Sequence, residues 1–133
     1  MSQELKTYKE KFIDAKLQQL ALEFLEKKNF LIEKDKELTG ISGQDHILSF
    51  YISGKIGSQE KFASGIVILD YGKSIGTDVI NKYDRISKDL KMSVNKLILV
   101  SNDFSVPAKN MAEKANLFLL SRGELVSILL TGR

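Results

Sequence analysis

The side chains best suited to chemistry lie within residues 38–73, in one glycine-containing stretch and after one apolar run. Asp45 and His46 follow the glycine-containing stretch, and Asp70 and Lys73 follow the apolar run. Carboxylate oxygens are the ligands that Mg²⁺ prefers, but the ion needs several of them in near-octahedral geometry. Asp70 with backbone carbonyls and waters would hold such an ion weakly, and Asp45 is the candidate second ligand.

Composition excludes several other kinds of site. The chain has no cysteine and one histidine, His46, so disulfides, thiolate metal sites and zinc sites with several imidazoles are excluded. With no cysteine and no second histidine, we do not expect a nucleophilic triad. No Gly-x-x-x-x-Gly-Lys-Ser/Thr loop and no Gly-x-Gly-x-x-Gly fingerprint occurs, so the common nucleotide-binding motifs are excluded too.

Size and charge place the chain in a broad class. A length of 133 residues predicts one domain over residues 1–133. The polar start of the chain and the absence of a long apolar run predict a cytoplasmic protein that does not enter a membrane. A net charge of +3, mostly from lysine, permits contact with phosphates, although a solvated lysine-rich surface explains it equally well.

The hydrophobic pattern predicts the elements that position these side chains. Apolar residues three or four apart predict a helix over 5–25 and another over 78–91, the second capped by Thr77. Ser105 is a predicted cap for a helix that ends near Ala115. A last helix is predicted over 124–130, a loop over 54–64, and strands over 30–37, 46–52, 66–69, 96–100 and 117–120. This order predicts an α/β fold with a mixed sheet flanked by helices on both faces.

Each candidate residue also has a purely structural explanation. Asp70 at a strand end would cap a turn or pair with Lys73, and His46 would bond to nearby backbone. Neighbouring strand residues point to opposite faces, so Lys73 aims away from Asp70 unless the strand ends there or bulges at Gly72. Gly40, like the second glycine of its stretch, would serve turn geometry.

Four segments together resemble a known family. They are residues 39–43 (Thr-Gly-Ile-Ser-Gly), 96–105 (a strand ending in Ser-Asn-Asp-Phe-Ser), the spaced alanines Ala108 and Ala112, and 117–125 (a short strand, then Arg-Gly-Glu-Leu). This pattern is similar to the Mrr-like restriction endonuclease family of the PD-(D/E)XK nuclease superfamily. The resemblance covers nearly the whole chain, and its most specific part is the scaffold in the C-terminal half.

The resemblance implies a restriction-endonuclease-like fold and a Mg²⁺-dependent site for cutting DNA. It places the metal-binding aspartate of the family at Ser49, or at Leu48 if the register slips by one. The second half-motif falls on Asp70, but its lysine position is Gly72, with Lys73 one place late. On this alignment the metal site is degenerate, at Ser49 and Gly72.

We therefore expect a pseudoenzyme that needs no cofactor and acts by binding DNA or a protein partner, as a homodimer. Lys55, Lys61 and Lys73 are expected on loops that border the former cleft, where they would contact phosphates. The apolar residues 117–120 and 125–130 form either core or a dimer surface.

Two alternatives remain open from the sequence. One is a working Mg²⁺- or Mn²⁺-dependent endonuclease with relocated ligands, which would use Asp70, Asp45 and Lys73. Asp14 on the first helix would then fill the accessory acidic role of some relatives. The other is an assembly module that makes no contact with nucleic acid.

Overall fold

The computed structural model describes residues 16–28, 30–56, 60–91, 94 and 96–131, with backbone alone at 55, 56, 60 and 61. Asp14 and the first part of the predicted helix 5–25 lie outside these residues. The elements in chain order are α1 (Leu17–Glu26), β1 (Leu31–Thr39), β2 (Asp45–Ile56), β3 (Glu60–Leu69), α2 (Thr77–Asp89), β4 (Lys96–Ser101), α3 (Val106–Ala115), β5 (Phe118–Ser121) and α4 (Arg122–Thr131). The predicted order of helices and strands is confirmed over this part of the chain.

The five strands of this part of the chain form one mixed sheet, in the order β1-β2-β3-β4-β5. β1, β2 and β3 pair in antiparallel fashion, whereas β3, β4 and β5 pair in parallel. Each parallel pair is joined by a crossover that contains a helix, as parallel strands require. The carboxyl ends of β3, β4 and β5 therefore meet at one edge of the sheet.

Two hydrophobic cores lie on the two faces of the sheet. Leu97 and Leu99 of β4 face the core under α2 and α3, and Val100 faces the core under α1 and α4. This alternation is the period-two pattern of a strand that is buried on both sides. The predicted α/β fold, with helices on both faces of a mixed sheet, is confirmed.

The loop predicted over 54–64 is wrong. β2 continues to residue 56 and β3 begins at residue 60, so Lys55 and Lys61 lie on paired strands and face each other in the register. Gly54 serves packing here: a Cβ at that position would lie 2.9 Å from the Phe62 ring. That ring makes an edge-to-face contact with Phe30 at 5.3 Å.

The observed starts of three helices agree to different degrees with the predicted starts. Thr77 is not a cap, because α2 begins at that residue and Gly76 precedes it without a side-chain cap. Ser105 is confirmed, since its hydroxyl accepts a hydrogen bond from the Ala108 amide at 3.2 Å. α4 begins two residues before the predicted Glu124. Glu124 and Ser121 form a reciprocal capping box, with amide-to-side-chain distances of 3.1 and 3.2 Å.

None of the helices in the part of the chain that the structure describes is long and apolar enough to cross a membrane.

Candidate functional site

Ser49 lies where the pairing of β2 with β3 stops. The ladder runs from residues 56 and 60 to Phe50 and Ile66, and beyond it the Ile68 amide donates to the Ser49 hydroxyl at 3.0 Å. Leu48 and Phe50 are two residues apart but belong to opposite cores, so the side-chain alternation of β2 is interrupted at Ser49. The Ser49 hydroxyl thus serves as the acceptor that a backbone carbonyl would provide in a regular ladder. The resemblance places a metal-binding aspartate at this position.

Ser49→Ala is expected to lower the free energy of unfolding by about 1–3 kcal/mol, because the half-buried Ile68 amide loses its acceptor. Urea unfolding measures this change. Ser101→Ala is the matched control, since the Ser101 hydroxyl is fully buried and has no hydrogen-bond partner among the described residues. Its removal should be neutral or stabilising. Equal losses of stability in the two variants would contradict a bonding role for Ser49.

Asp70 belongs to a chain of hydrogen bonds at the carboxyl edge of the parallel strands. The Asn102 amide donates to Asp70 Oδ1 at 3.1 Å, and Arg122 Nε donates to Asn102 Oδ1 at 2.7 Å. Asp70, Asn102 and Arg122 directly follow the last residues of β3, β4 and β5. These last residues, Leu69, Ser101 and Ser121, lie side by side in the sheet. The partner of the Asp70 carboxylate is thus Asn102, and no salt bridge to Lys73 forms among the described residues.

Sequence reasoning missed Asn102 and Arg122, although a signal was present. Asp70 directly follows the predicted strand 66–69, and Asn102 and Arg122 lie two residues beyond the predicted strands 96–100 and 117–120. The carboxyl ends of neighbouring parallel strands lie side by side. A polar residue placed just after each of three consecutive parallel strands predicts such a cluster.

Lys73 lies in a turn. β3 ends at Leu69, and Gly72 adopts a φ of +70°, which favours glycine. The strand therefore ends before Gly72, so strand alternation does not set the direction of Lys73. Lys73 is exposed to solvent.

The loop that precedes β2 is tied to the end of α2 by Asp89. The Ser42 amide and hydroxyl each donate to the Asp89 carboxylate at 2.8 Å, and His46 Nε2 donates to Asp89 Oδ2 at 2.7 Å. A Cβ at Gly40 would overlap this carboxylate, so glycine is needed for close approach. The predicted backbone partner of His46 is wrong, because its partner is the side chain of Asp89.

The hydrogen bonds from His46 and from the amide and hydroxyl of Ser42 hold the pKa of Asp89 below its ordinary value, with the His46 bond contributing most. In this arrangement the Asp89 carboxylate lies between the Ser42 hydroxyl and the His46 imidazole. A base-activated serine needs its hydroxyl on the imidazole instead. The cluster is therefore a tether between the loop and α2, and it lacks the order of a nucleophilic triad.

A cleft of about 740 Å³ opens between this loop and α2. Its walls include His46, Lys82, Tyr83 and Arg85. The Lys82 ammonium lies 5.4 Å from the centre of the Tyr83 ring, and burial, with the neighbouring Tyr71, raises the pKa of Tyr83 to about 12. Arg85 is exposed and makes no hydrogen bond or ion pair with another described residue. The cleft therefore presents Lys82 and Arg85 to solvent, beside the carboxylates of Asp45 and Asp89.

The donor set around Asp70 does not fit a Mg²⁺ site. Ser49 offers a neutral hydroxyl that already accepts a backbone hydrogen bond, and Asp70 is the one carboxylate of the half-motif. No group of three histidine, aspartate or glutamate residues able to hold a metal occurs in the ranges that the structure describes. Asp45 accepts a hydrogen bond from the Thr39 hydroxyl at 2.6 Å, and its role as a replacement ligand stays a prediction.

Comparisons with known proteins give a fold likeness. No family model matches the chain, and no curated protein matches it. The crystal structure of a protein of unknown function, AF1548, is similar over 89% of this chain with a TM-score of 0.65 and 12% identity. This chain spans 64% of the length of that protein. The DNA modification-dependent restriction endonuclease AspBHI is similar over 77% of this chain and 26% of its own, with 12% identity and a TM-score of 0.49.

Proposed function

We propose that this chain is a restriction-endonuclease-like domain that binds the phosphate backbone of DNA and does not cut it. The observation that carries the proposal is the hydrogen bond from the Ile68 amide to the Ser49 hydroxyl at 3.0 Å. A serine that completes the backbone ladder has a structural task at the position where a nuclease of this kind needs a carboxylate. This hydrogen bond supports a fold that accommodates a serine where the resemblance implies an acid.

Metal-assisted hydrolysis needs a charged donor set that lowers the pKa of a bound water and offsets charge on the phosphate. Asp70 supplies one negative charge, and its Oδ1 accepts a hydrogen bond from the Asn102 amide. The lysine position of the half-motif is Gly72, at a positive φ that a lysine would adopt only with strain. Two of the three groups expected from the resemblance are thus replaced by residues that suit the local backbone.

The DNA-binding part of the proposal rests on the charge of the cleft between the loop and α2. Lys82 and Arg85 are exposed on one side of α2, three residues apart and therefore neighbours on the helix surface. Asp45 and Asp89 line the same cleft, where they accept hydrogen bonds from Thr39, Ser42 and His46. Asp84 pairs with Lys88 at 3.1 Å, so neither Lys82 nor Arg85 forms an ion pair with a described acid. Cations of this kind make sequence-independent contacts with phosphates.

Lys55 and Lys61 lie at the turn end of the β2–β3 hairpin, whereas Asp70 follows the other end of β3. At about 3.3 Å per residue the two ends of β3 are roughly 30 Å apart. The prediction that these two lysines lie on loops beside the former cleft is therefore wrong. Their contact with DNA, and that of Lys73, stays a prediction.

A binding assay with a labelled duplex tests the proposal. We expect an affinity that falls steeply as salt rises, because contacts with phosphates release counterions. The duplex should be recovered intact after incubation with Mg²⁺ or Mn²⁺. An absence of binding at low salt would favour the assembly module without nucleic-acid contact, and metal-dependent fragments would favour the working endonuclease.

A further inference from the structure

We propose that β5 pairs with β5 of a second copy of this chain, in antiparallel fashion about a two-fold axis. The interface is independent of the proposed DNA binding. β5 is the last strand of the sheet, and among the described residues no other strand lies on its outer side. The proposal identifies what covers this edge.

The two edges of the sheet differ in how they oppose pairing. β1 carries an unbroken charged run over residues 33–37, and Asp35 within it has a φ of +50°, which disturbs the strand. Charges and local irregularities of this kind keep an edge from pairing with another chain. β5 has the sequence Phe-Leu-Leu-Ser, without a charge, and the Phe118 side chain is 46% exposed. The charged run and the irregular residue belong to β1, whereas β5 is limited by its length of four residues and by the Glu124 cap on Ser121.

The hydrogen bonds of β5 place the two-fold axis at one residue. The Ser121 amide donates to the Glu124 carboxylate at 3.1 Å, so it points away from β4. Residues two apart on a strand turn their amide and carbonyl groups to the same side. The amide and carbonyl of Leu119 therefore also point outward. Two copies of Leu119 can exchange both hydrogen bonds across a two-fold axis.

The charges near β5 are complementary under this axis. Lys96 lies at the amino end of β5, with its ammonium 5.4 Å from the Phe118 ring, and Glu124 lies at the carboxyl end. Antiparallel pairing about Leu119 brings the amino end of one β5 to the carboxyl end of the other. Lys96 of each copy then approaches Glu124 of the second copy. The pair forms twice, so the surface complements itself and favours a second copy over an unrelated peptide.

A groove of about 710 Å³ runs beside this edge, and Lys96, Phe118, Leu119 and Glu124 are among its lining residues. The groove lies on the face of the sheet that carries α3 and leaves room there for side chains from a second copy. A ladder of four residues contributes few backbone hydrogen bonds, so these side-chain contacts must contribute to a stable dimer.

A cysteine crosslink tests the axis directly, because the natural chain contains no cysteine. Directly opposed residues of a hydrogen-bonded antiparallel pair have Cα atoms about 5.5 Å apart, within the range that a disulfide spans. Leu119→Cys should therefore form a covalent dimer under mild oxidation at least about tenfold faster than Val106→Cys, whose position is 67% exposed. Equal rates in the two variants would overturn the proposal.

A charge exchange tests the same interface without a crosslink. Lys96→Glu should weaken the dimer by about tenfold or more, since it sets two acids against each other twice. The double variant Lys96→Glu/Glu124→Lys restores opposite charges and should associate more tightly than Lys96→Glu, while the lost Glu124 cap lowers its stability. Lys34→Glu on β1 should leave association unchanged. Sedimentation equilibrium over a concentration series measures all four proteins. A wild type that stays monomeric throughout, or a Lys96→Glu variant that associates like the wild type, would overturn the proposal.

Discussion

Replacing Lys82 and Arg85 together with glutamine is expected to lower the affinity for duplex DNA by roughly tenfold or more at moderate salt. Both side chains line the cleft beside α2, and no ion pair with a described residue neutralises either of them. Each lost phosphate contact should also reduce the slope of log affinity against log salt by about 1. Fluorescence anisotropy at several salt concentrations measures both quantities.

The matched control removes the same charge from the opposite face of the sheet. Lys16 and Lys27 flank α1, are exposed, and lie far from α2 because the sheet separates the two helices. Lys16→Gln/Lys27→Gln should keep most of the affinity. If both double variants lose affinity equally, net charge alone explains the binding and the cleft beside α2 has no special role.

Asp89→Ala is expected to release the loop before β2 from α2 and to lower the thermal midpoint at neutral pH. Three donors on Ser42 and His46 lose their shared acceptor in this variant. Asp84→Ala is the control on the same helix, since Asp84 bonds only the exposed Lys88 among the described residues. It should change the midpoint little.

The pH dependence of this effect has a defined sign. The pKa of Asp89 is lowered from 3.8 in the folded protein, so its contribution to stability is fully present above that value. The contribution is lost as the pH falls through the lower, folded pKa. The difference in midpoint between wild type and Asp89→Ala should therefore be constant near neutrality and shrink in acid. A difference that grows in acid would contradict the hydrogen-bonding role of the ionised carboxylate.

Most of the fold could be predicted from local pattern. The runs 66–69 and 96–100 read as strands buried on both faces because every position except Lys96 is apolar, and both are interior strands of the sheet. Ser105 was predicted as a cap because a serine hydroxyl accepts a hydrogen bond from an amide of the first turn, and Pro107 two residues later favours a helix start. The hairpin around Gly54 was missed, because glycine usually indicates a turn and here makes room for the Phe62 ring.

The candidate site could be predicted only in part, because its contacts join distant residues. Ser49 and Asp70 were located by the resemblance, and the structure shows what each of them bonds. The contact of His46 with Asp89 spans 43 residues of sequence and has no local signature. The Asp70–Asn102–Arg122 chain depends on the register of three parallel strands, which a single sequence does not specify.

A nuclease assay tests the central claim most directly. Wild type and Asp70→Ala would be incubated with supercoiled plasmid and with branched DNA, in Mg²⁺ and in Mn²⁺. We predict that neither protein produces metal-dependent cuts above a protein-free control, while both bind the DNA. Cutting by the wild type that disappears in Asp70→Ala would contradict the claim, and would mean that relocated ligands hold the metal.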